Sequence, residues 1–172
     1  GSFVGSEELI TTQYMANSTS NWKSFNHKVM ASPIDGIKIQ TNSNSDFYLR
    51  YKTWNEGQSY YYPEVTSLEN DYAGYPNKPI QGLSISAYSK DGTKLTAGVV
   101  VMYRAYVDGR WLPWVSNADP EWMQDVQENY NLGGTLDVSS SYAGIIGKNI
   151  SSVEIYVFNG KSISSSIGNL SG

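Results

Sequence analysis

The side chains that most often carry catalysis are scarce in this sequence. Its 172 residues include one histidine, His27, and no cysteine. A serine triad would therefore have to use His27, which lies in the polar stretch Asn26–Lys28 and is typical of a surface histidine. Thiolate nucleophiles and histidine-rich metal sites are excluded, and no phosphate-loop or dinucleotide glycine pattern occurs. We therefore predict no catalytic residue, no metal ligand and no cofactor.

Carboxylates are the remaining candidates for chemistry. A glycosidase needs only two of them, roughly 5 Å or 6.5–9.5 Å apart, and the chain has 16 acidic residues. Spacing along the sequence cannot test such a pair, so a glycoside hydrolase remains an alternative. The acids of residues 119–128 have helical spacing, which does not fit a calcium loop.

Aromatic side chains, in contrast, are abundant: 14 Tyr, 5 Trp and 4 Phe. A ring with a polar edge can stack on the C–H face of a sugar, whose hydroxyls then bond to Asn, Asp, Gln or Ser. The composition therefore indicates carbohydrate binding. Because Tyr and Trp also dominate protein interfaces, a Tyr-rich protein-interaction module is a further alternative.

Charge and hydropathy argue against two classes of partner, nucleic acids and membranes. The net charge is -4, and no cluster of Lys and Arg could neutralise several neighbouring phosphates. The longest apolar run, near residues 97–106, is too short to span a bilayer as a helix. We therefore expect neither nucleic-acid binding nor membrane insertion.

Strand-length runs of aromatic and β-branched residues, separated by Gly, Asn, Asp and Ser, predict an all-β fold. Asp-Gly pairs at Asp91-Gly92 and Asp108-Gly109 predict type I′ hairpin turns, and residues 42–46 have hairpin-loop length. Pro120 and a capping Asp119 predict a short helix to about Tyr130. The predicted strands are Thr11–Ala16, Ile34–Gln40, Phe47–Trp54, Tyr60–Thr66, Ile80–Ala87, Gly98–Val107, Trp111–Ser116 and Ile150–Phe158.

Self-similarity within the chain predicts three repeats, at about 10–40, 47–87 and 98–158. Residues 71–80 align with residues 141–150. Before them, residues 48–51 align with residues 102–105, and residues 61–65 align with residues 111–115. Three copies of a three- to four-stranded antiparallel unit indicate a pseudo-threefold arrangement, β-prism-like or β-trefoil-like. Residues 159–172 form a Ser-rich tail. The expected central core is Ile34, Ile37, Ile39, Ile80, Leu83, Ile85, Ile150, Val153 and Ile155.

The repeats also help to sort the aromatic residues. A ring that the fold requires should recur in every copy, as at Trp22, Tyr61 and Trp111, whereas a ligand contact need not recur. Trp114, aligned with Glu64 and Phe25, is therefore a better candidate, as are Trp54, Tyr60, Tyr75 and Trp122, which have no counterpart. Trp122, on the predicted helix, either packs the insertion or offers its ring to a ligand. We predict that the insertion at about 117–140 lengthens the third of three clefts and makes it the main site. The candidate ligand-binding residues are Trp114, Trp122, Trp111, Tyr142, Trp54, Tyr60, Tyr75 and Tyr72.

The repeated order of elements resembles a known family. Tyr103-Arg104, Trp111–Ser116 and Tyr142–Ile155, with their counterparts in the middle copy, are similar to the cell-wall-binding repeats of enterolysin A-type bacteriolysins and Gram-positive phage endolysins. More distantly, they resemble hydrophobic-W repeats. The resemblance implies a secreted, non-catalytic module, monomeric and fused to a catalytic domain, that targets a hydrolase to peptidoglycan or a wall polysaccharide. The acidic pI of about 4.9 favours a neutral polymer.

Overall fold

The chain folds mainly as antiparallel β-sheet, as predicted. The computed structural model describes residues 9–16, 21–31 and 33–160. Its elements are β1 (Ile10–Ala16), β2 (Lys23–Phe25), β3 (Lys28–Met30), β4 (Ile34–Thr41), β5 (Phe47–Asn55), β6 (Val65–Thr66), β7 (Ala73–Gly74), β8 (Ile80–Ser89), β9 (Lys94–Leu95), β10 (Val99–Val107), β11 (Arg110–Trp111), β12 (Val115–Ser116), α1 (Pro120–Tyr130), β13 (Ala143–Gly144) and β14 (Ser152–Asn159).

Three sheets make up the described fold, and each is built on one long strand pair. The pairs are β1 with β4, β5 with β8, and β10 with β14. In the long strands β5, β8 and β10, one part alternates between buried and partly exposed residues and therefore has one buried face. Another part is a continuous run of buried residues and is covered on both faces. The residues predicted as a hairpin loop, 42–46, instead connect β4 to β5 in a different sheet.

A short strand from one copy completes the sheet of another copy. In each case it pairs beside a glycine or a small residue: β7 pairs with β4, β13 with β8, and β3 with β14. The second copy thus completes the sheet of the first, the third that of the second, and the first that of the third. Runs of two or three residues carry no periodicity, so the sequence did not reveal these exchanges.

Strand register corrects the internal alignment of the copies. Tyr51 lies opposite Ile85 and Tyr103 lies opposite Ile155, so these two tyrosines are equivalent. The alignment that matched Arg50 with Arg104 is therefore wrong by two residues. The match of Phe25 with Trp114 is also wrong. Thr12 occupies the place of Tyr103 in the first copy. Phe25 lies opposite Thr12 and Val115 lies opposite Tyr103, so Phe25 corresponds to Val115.

The predicted central core is confirmed. All nine expected residues, Ile34, Ile37, Ile39, Ile80, Leu83, Ile85, Ile150, Val153 and Ile155, are buried and belong to one hydrophobic cluster. A second cluster lies under the insertion and includes Val100, Met102, Trp114, Ala118, Trp122, Met123, Val126 and Phe158. The insertion therefore has a core of its own on one face of β10 and β14.

Two of the predicted strands were too long. Of residues 60–66 only β6 is strand, and residues 111–116 divide into the ends of β11 and β12. Pro63 and Pro113 interrupt these stretches, because proline has no amide hydrogen for the ladder. Just before each proline one bond to the long neighbouring strand remains, from the Tyr62 amide to the Thr53 carbonyl and from the Leu112 amide to the Ala105 carbonyl.

One Asp-Gly turn has the predicted conformation and the other does not. Asp108 and Gly109 both have positive φ, 53° and 79°, as a type I′ turn requires. At the other turn Gly92 has a φ of 90°, and Asp91 instead accepts hydrogen bonds from the Ser89 hydroxyl and the Thr93 amide. These bonds lower the pKa of Asp91.

The predicted helix is present as α1 and ends at Asn131, whose φ is 47°. Asp119 occupies the N-cap position, but its side chain makes no capping hydrogen bond, so that part of the prediction is wrong. Of the predicted tail, only residues 159 and 160 lie within the described residues.

Candidate functional site

A loop rich in tyrosine joins β5 to β6. The loop bends at Gly57, where φ is 84°, and a bond from the Tyr62 amide to the Thr53 carbonyl holds its far end against β5. Tyr60, in the middle of the loop, is 65% exposed. Such a loop on a rigid sheet is a common location for binding residues.

Three rings form what we call the Tyr75 group: the exposed Tyr60 and Tyr75 and the partly buried Tyr62 between them. Tyr62 and Tyr75 stack with centroids 5.9 Å apart, and Tyr75 is 52% exposed. Partial burial, together with Tyr75 and Tyr60, raises the pKa of Tyr62, so the phenol remains neutral at physiological pH. The group therefore offers uncharged rings with hydroxyl edges to the solvent.

A buried asparagine fixes the turn that carries Tyr75. The side-chain amide of Asn55 donates to the Lys78 carbonyl at 2.6 Å and to the Asp35 carbonyl at 3.2 Å. Its oxygen accepts a bond from the Thr53 hydroxyl at 2.7 Å. Asn55 thus joins the end of β5 to the turn between Tyr75 and Lys78. Asn77, in this turn, has a φ of 70°, and Gly147, at the aligned position of the third copy, has a φ of 100°.

A second set of rings, the Trp54 group, consists of Trp54, Tyr61 and Tyr142. Trp54 and Tyr61 meet edge to face at 5.4 Å. Gly82 allows this packing, because a Cβ there would lie 3.3 Å from the Tyr142 ring and 3.5 Å from Trp54. Lys52 lies 4.5 Å from the centre of the Tyr61 ring. Burial, more than the neighbouring Tyr142, raises the pKa of Tyr61.

A polar cleft of about 430 Å³ extends from Tyr61 toward the insertion. Its walls come from β5 and β8 on one side and from residues 116–120 and 138–141 on the other. Hydroxyl groups predominate in the lining: Ser84, Ser86, Ser116, Ser139, Ser140, Ser141, Tyr61, Tyr88 and Tyr103. Lys52, Lys94, Glu64 and Asp119 supply its charges.

Hydrogen bonds within the insertion shape the cleft wall. The Asp137 carboxylate accepts bonds from the Ser139 amide at 3.1 Å, the Ser139 hydroxyl at 2.9 Å and the Ser140 amide at 3.1 Å, and these bonds lower its pKa. The Ser84 hydroxyl donates to the Ser141 carbonyl across the cleft floor. At the opposite end, the Asn117 side chain bonds to the Leu95 and Val99 carbonyls and to the Val101 amide.

The structure places four of the eight predicted ligand-binding residues in two groups, two residues in each. Tyr60 and Tyr75 belong to the Tyr75 group, and Trp54 and Tyr142 to the Trp54 group. Trp111 lies elsewhere, between Tyr106 and Arg104, and Tyr72 packs on Trp22 at 5.0 Å. The sequence analysis missed Tyr62 and the serine wall, although the triplet Tyr60-Tyr61-Tyr62 was a visible signal.

Trp114 and Trp122 require a correction. Trp114 has 0% exposure and Trp122 has 5%, so neither ring faces a ligand in this conformation. The indole of Trp114 donates to the Gly133 carbonyl at 2.7 Å, and Arg104 lies 4.3 Å from its ring. Both tryptophans belong to the second core, in which residues of the insertion pack against β10 and β14.

His27 also differs from the expected surface histidine. It has a φ of 65°, is half-buried, and stacks on Tyr156 at 4.4 Å.

Within residues 9–16, 21–31 and 33–160, no three His, Asp or Glu side chains form a metal-binding group. Over the same ranges, no helix has the length and hydropathy of a membrane span.

Comparison of the chain with protein-family models, with curated proteins and with solved structures gives no match.

Proposed function

We propose that this chain is a non-catalytic module that binds a Gram-positive cell-wall glycan, either peptidoglycan or a secondary wall polysaccharide. The observation that carries the proposal is the tyrosine loop between β5 and β6, in which the ring of Tyr60 is exposed to solvent and the next residue, Tyr61, lines the hydroxyl-rich cleft. Exposed rings suit the C–H faces of sugars, and the cleft supplies donors and acceptors for their hydroxyls. The sequence resemblance to wall-binding repeats supports the same assignment. We propose on that ground that the module acts outside the cell, fused to a hydrolase.

The mixed charge of the cleft favours a neutral sugar polymer. Lys52 and Lys94 lie in the same lining as Glu64 and Asp119, so neither sign predominates. An anionic wall polymer would instead favour a basic surface, and the chain as a whole carries a net charge of -4. Chain-end or backbone sugars without phosphate are therefore the proposed ligands.

Sedimentation with purified Gram-positive walls tests the proposal. We expect the protein to sediment with the walls, and Tyr60→Ala and Tyr75→Ala each to weaken binding about two- to twelve-fold, because a stacked ring contributes about 0.5–1.5 kcal/mol. Met30→Ala removes an equally exposed apolar side chain on a different sheet and is the control. Failure of the parent protein to sediment, or equal binding by all variants, would contradict the proposal.

A glycoside hydrolase is the second candidate, because Glu64 and Asp119 line the same cleft. Release of reducing ends from walls by the pure protein, abolished in Glu64→Gln or Asp119→Asn, would favour it. We expect no release. Capture of a protein rather than a glycan would favour the interaction-module alternative.

We also propose that the three copies are related by a pseudo-threefold axis, in a β-prism-like or β-trefoil-like arrangement. The matching exchange of β7, β13 and β3 supports this, and three separate sheets favour the prism. An experimental structure should superpose on itself with Ile34, Ile80 and Ile150 coinciding.

A further inference from the structure

Two tyrosines fill equivalent places between neighbouring sheets. The Tyr51 hydroxyl accepts a hydrogen bond from the Ile39 amide at 2.9 Å, and the Tyr103 hydroxyl accepts one from the Ile85 amide at 3.0 Å. Each tyrosine comes from the first long strand of one copy and reaches the last long strand of the preceding copy. Both side chains are buried, so each ring closes the junction between two sheets.

The first copy has no ring at this place. Thr12 lies opposite Ile39 and Phe25, as Tyr51 lies opposite Ile85 and Val65. A tyrosine at position 12 would reach for the amide of Ile155, which is the equivalent of Ile39. That amide instead donates to the His27 carbonyl at 2.7 Å. The His27 carbonyl thus takes the place of the tyrosine hydroxyl, while no side chain from residues 9–16, 21–31 or 33–160 takes the place of the ring.

A pocket of about 230 Å³ occupies this junction. Three apolar residues line it, Ile10, Phe25 and Ile155, and the rest of the lining is polar: Thr11, Thr12, Ser24, Asn26 and His27. The imidazole of His27 stacks on Tyr156, which holds the wall in position. An apolar cavity of about 150 Å³ is large enough for benzene in another protein, so the volume here suffices for a single ring.

We infer that this pocket is a binding site for an unsubstituted phenyl ring. The two filled junctions show that the fold accommodates a six-membered aromatic ring between these sheets. A bare ring fits better than a phenol, because the His27 carbonyl already occupies the place of the hydroxyl. The ring can belong to a small aromatic compound or to a phenylalanine side chain. This site is separate from the Tyr75 group and does not depend on the proposed glycan function.

Toluene is the probe for the free compound, and N-acetyl-phenylalanine amide is the probe for the side chain. We expect toluene to shift the amide resonances of Thr12, Phe25 and Ile155 in a saturable way. Thr12→Phe places a ring in the pocket and should reduce the affinity for toluene at least ten-fold. Thr12→Val keeps the size of threonine without the plug, so it should bind toluene like the parent protein.

The outcomes separate clearly. Tighter binding of N-acetyl-phenylalanine amide than of toluene, measured at the same resonances, would indicate that the ring belongs to a protein side chain. Tighter binding of toluene would indicate a free aromatic compound. Absence of saturable binding by both probes would overturn the inference. Equal binding by the parent and Thr12→Phe would also overturn it; should Thr12→Phe not fold, Thr12→Leu is the alternative plug.

Discussion

Aromatic residues of the second and third copies lie in opposite environments. In the second copy Tyr60 and Tyr75 project into solvent, whereas in the third copy Trp114 and Trp122 are buried beneath the insertion. The two tryptophans are predicted ligand contacts because no tryptophan recurs at the aligned positions of the other copies. An inserted segment must pack apolar side chains of its own against the sheet. An aromatic residue that is missing from the other copies can therefore be either a ligand contact or a packing residue of the insertion.

The largest effect is expected at Trp114. Trp114→Ala removes a fully buried ring and the indole bond to the Gly133 carbonyl, and it should lower the free energy of unfolding by about 3–5 kcal/mol. Tyr60→Ala, at an exposed ring, should change it by less than about 0.5 kcal/mol. Urea titration measures both values, and similar losses for the two variants would remove the contrast between the regions.

High pH should affect a buried tyrosine before it affects the fold elsewhere. Burial raises the pKa of Tyr51 to about 12, from an unfolded value near 10. The stabilisation is therefore complete below about pH 10 and is lost as the pH rises through 12, by up to about 2–3 kcal/mol. Tyr51→Phe should show a weaker loss of stability between pH 10 and 12 than the parent protein. Parallel stability curves for the two proteins would contradict the assignment.

Removal of a single buried hydroxyl should have a smaller effect. Tyr103→Phe leaves the ring in place but deprives the buried Ile85 amide of its acceptor, at a cost of about 1–3 kcal/mol. Tyr60→Phe removes a solvent-exposed hydroxyl and should have no measurable effect on thermal unfolding. If the two substitutions shift the melting temperature equally, the hydroxyl of Tyr103 does not stabilise the junction between sheets.

The smallest effect concerns the turn that carries Tyr75. Asn77→Gly relieves a residue with φ of 70°, so stability should change by only a few tenths of a kcal/mol. Wall binding should remain the same, because Asn55 still holds the turn. Calorimetry and the sedimentation assay check the two parts. A marked loss of wall binding would mean that the Asn77 side chain itself contacts the ligand.

Much of the fold was predictable because long strands carry strong patterns. Ile34, Ile80 and Ile150 begin runs whose isoleucine, leucine and valine residues all belong to the central core. The exchanged strands were not predictable, since two-residue elements such as β7 and β13 depend on tertiary contacts rather than on local propensity. For the candidate site, Tyr60 and Tyr75 follow from composition and copy comparison. The serine wall does not, because polar loop residues look alike until the fold brings them together.

The circular exchange of short strands has a consequence for synthesis. β3 is made early, but its partner β14 is the last described strand to leave the ribosome. β3 therefore leaves the ribosome without its partner and stays unpaired until β14 has been made. An open repeat array can lose or gain a unit at its terminus, whereas this module must be completed as a whole. Duplication in its ancestry would have to yield three units before any of them had a full set of neighbours.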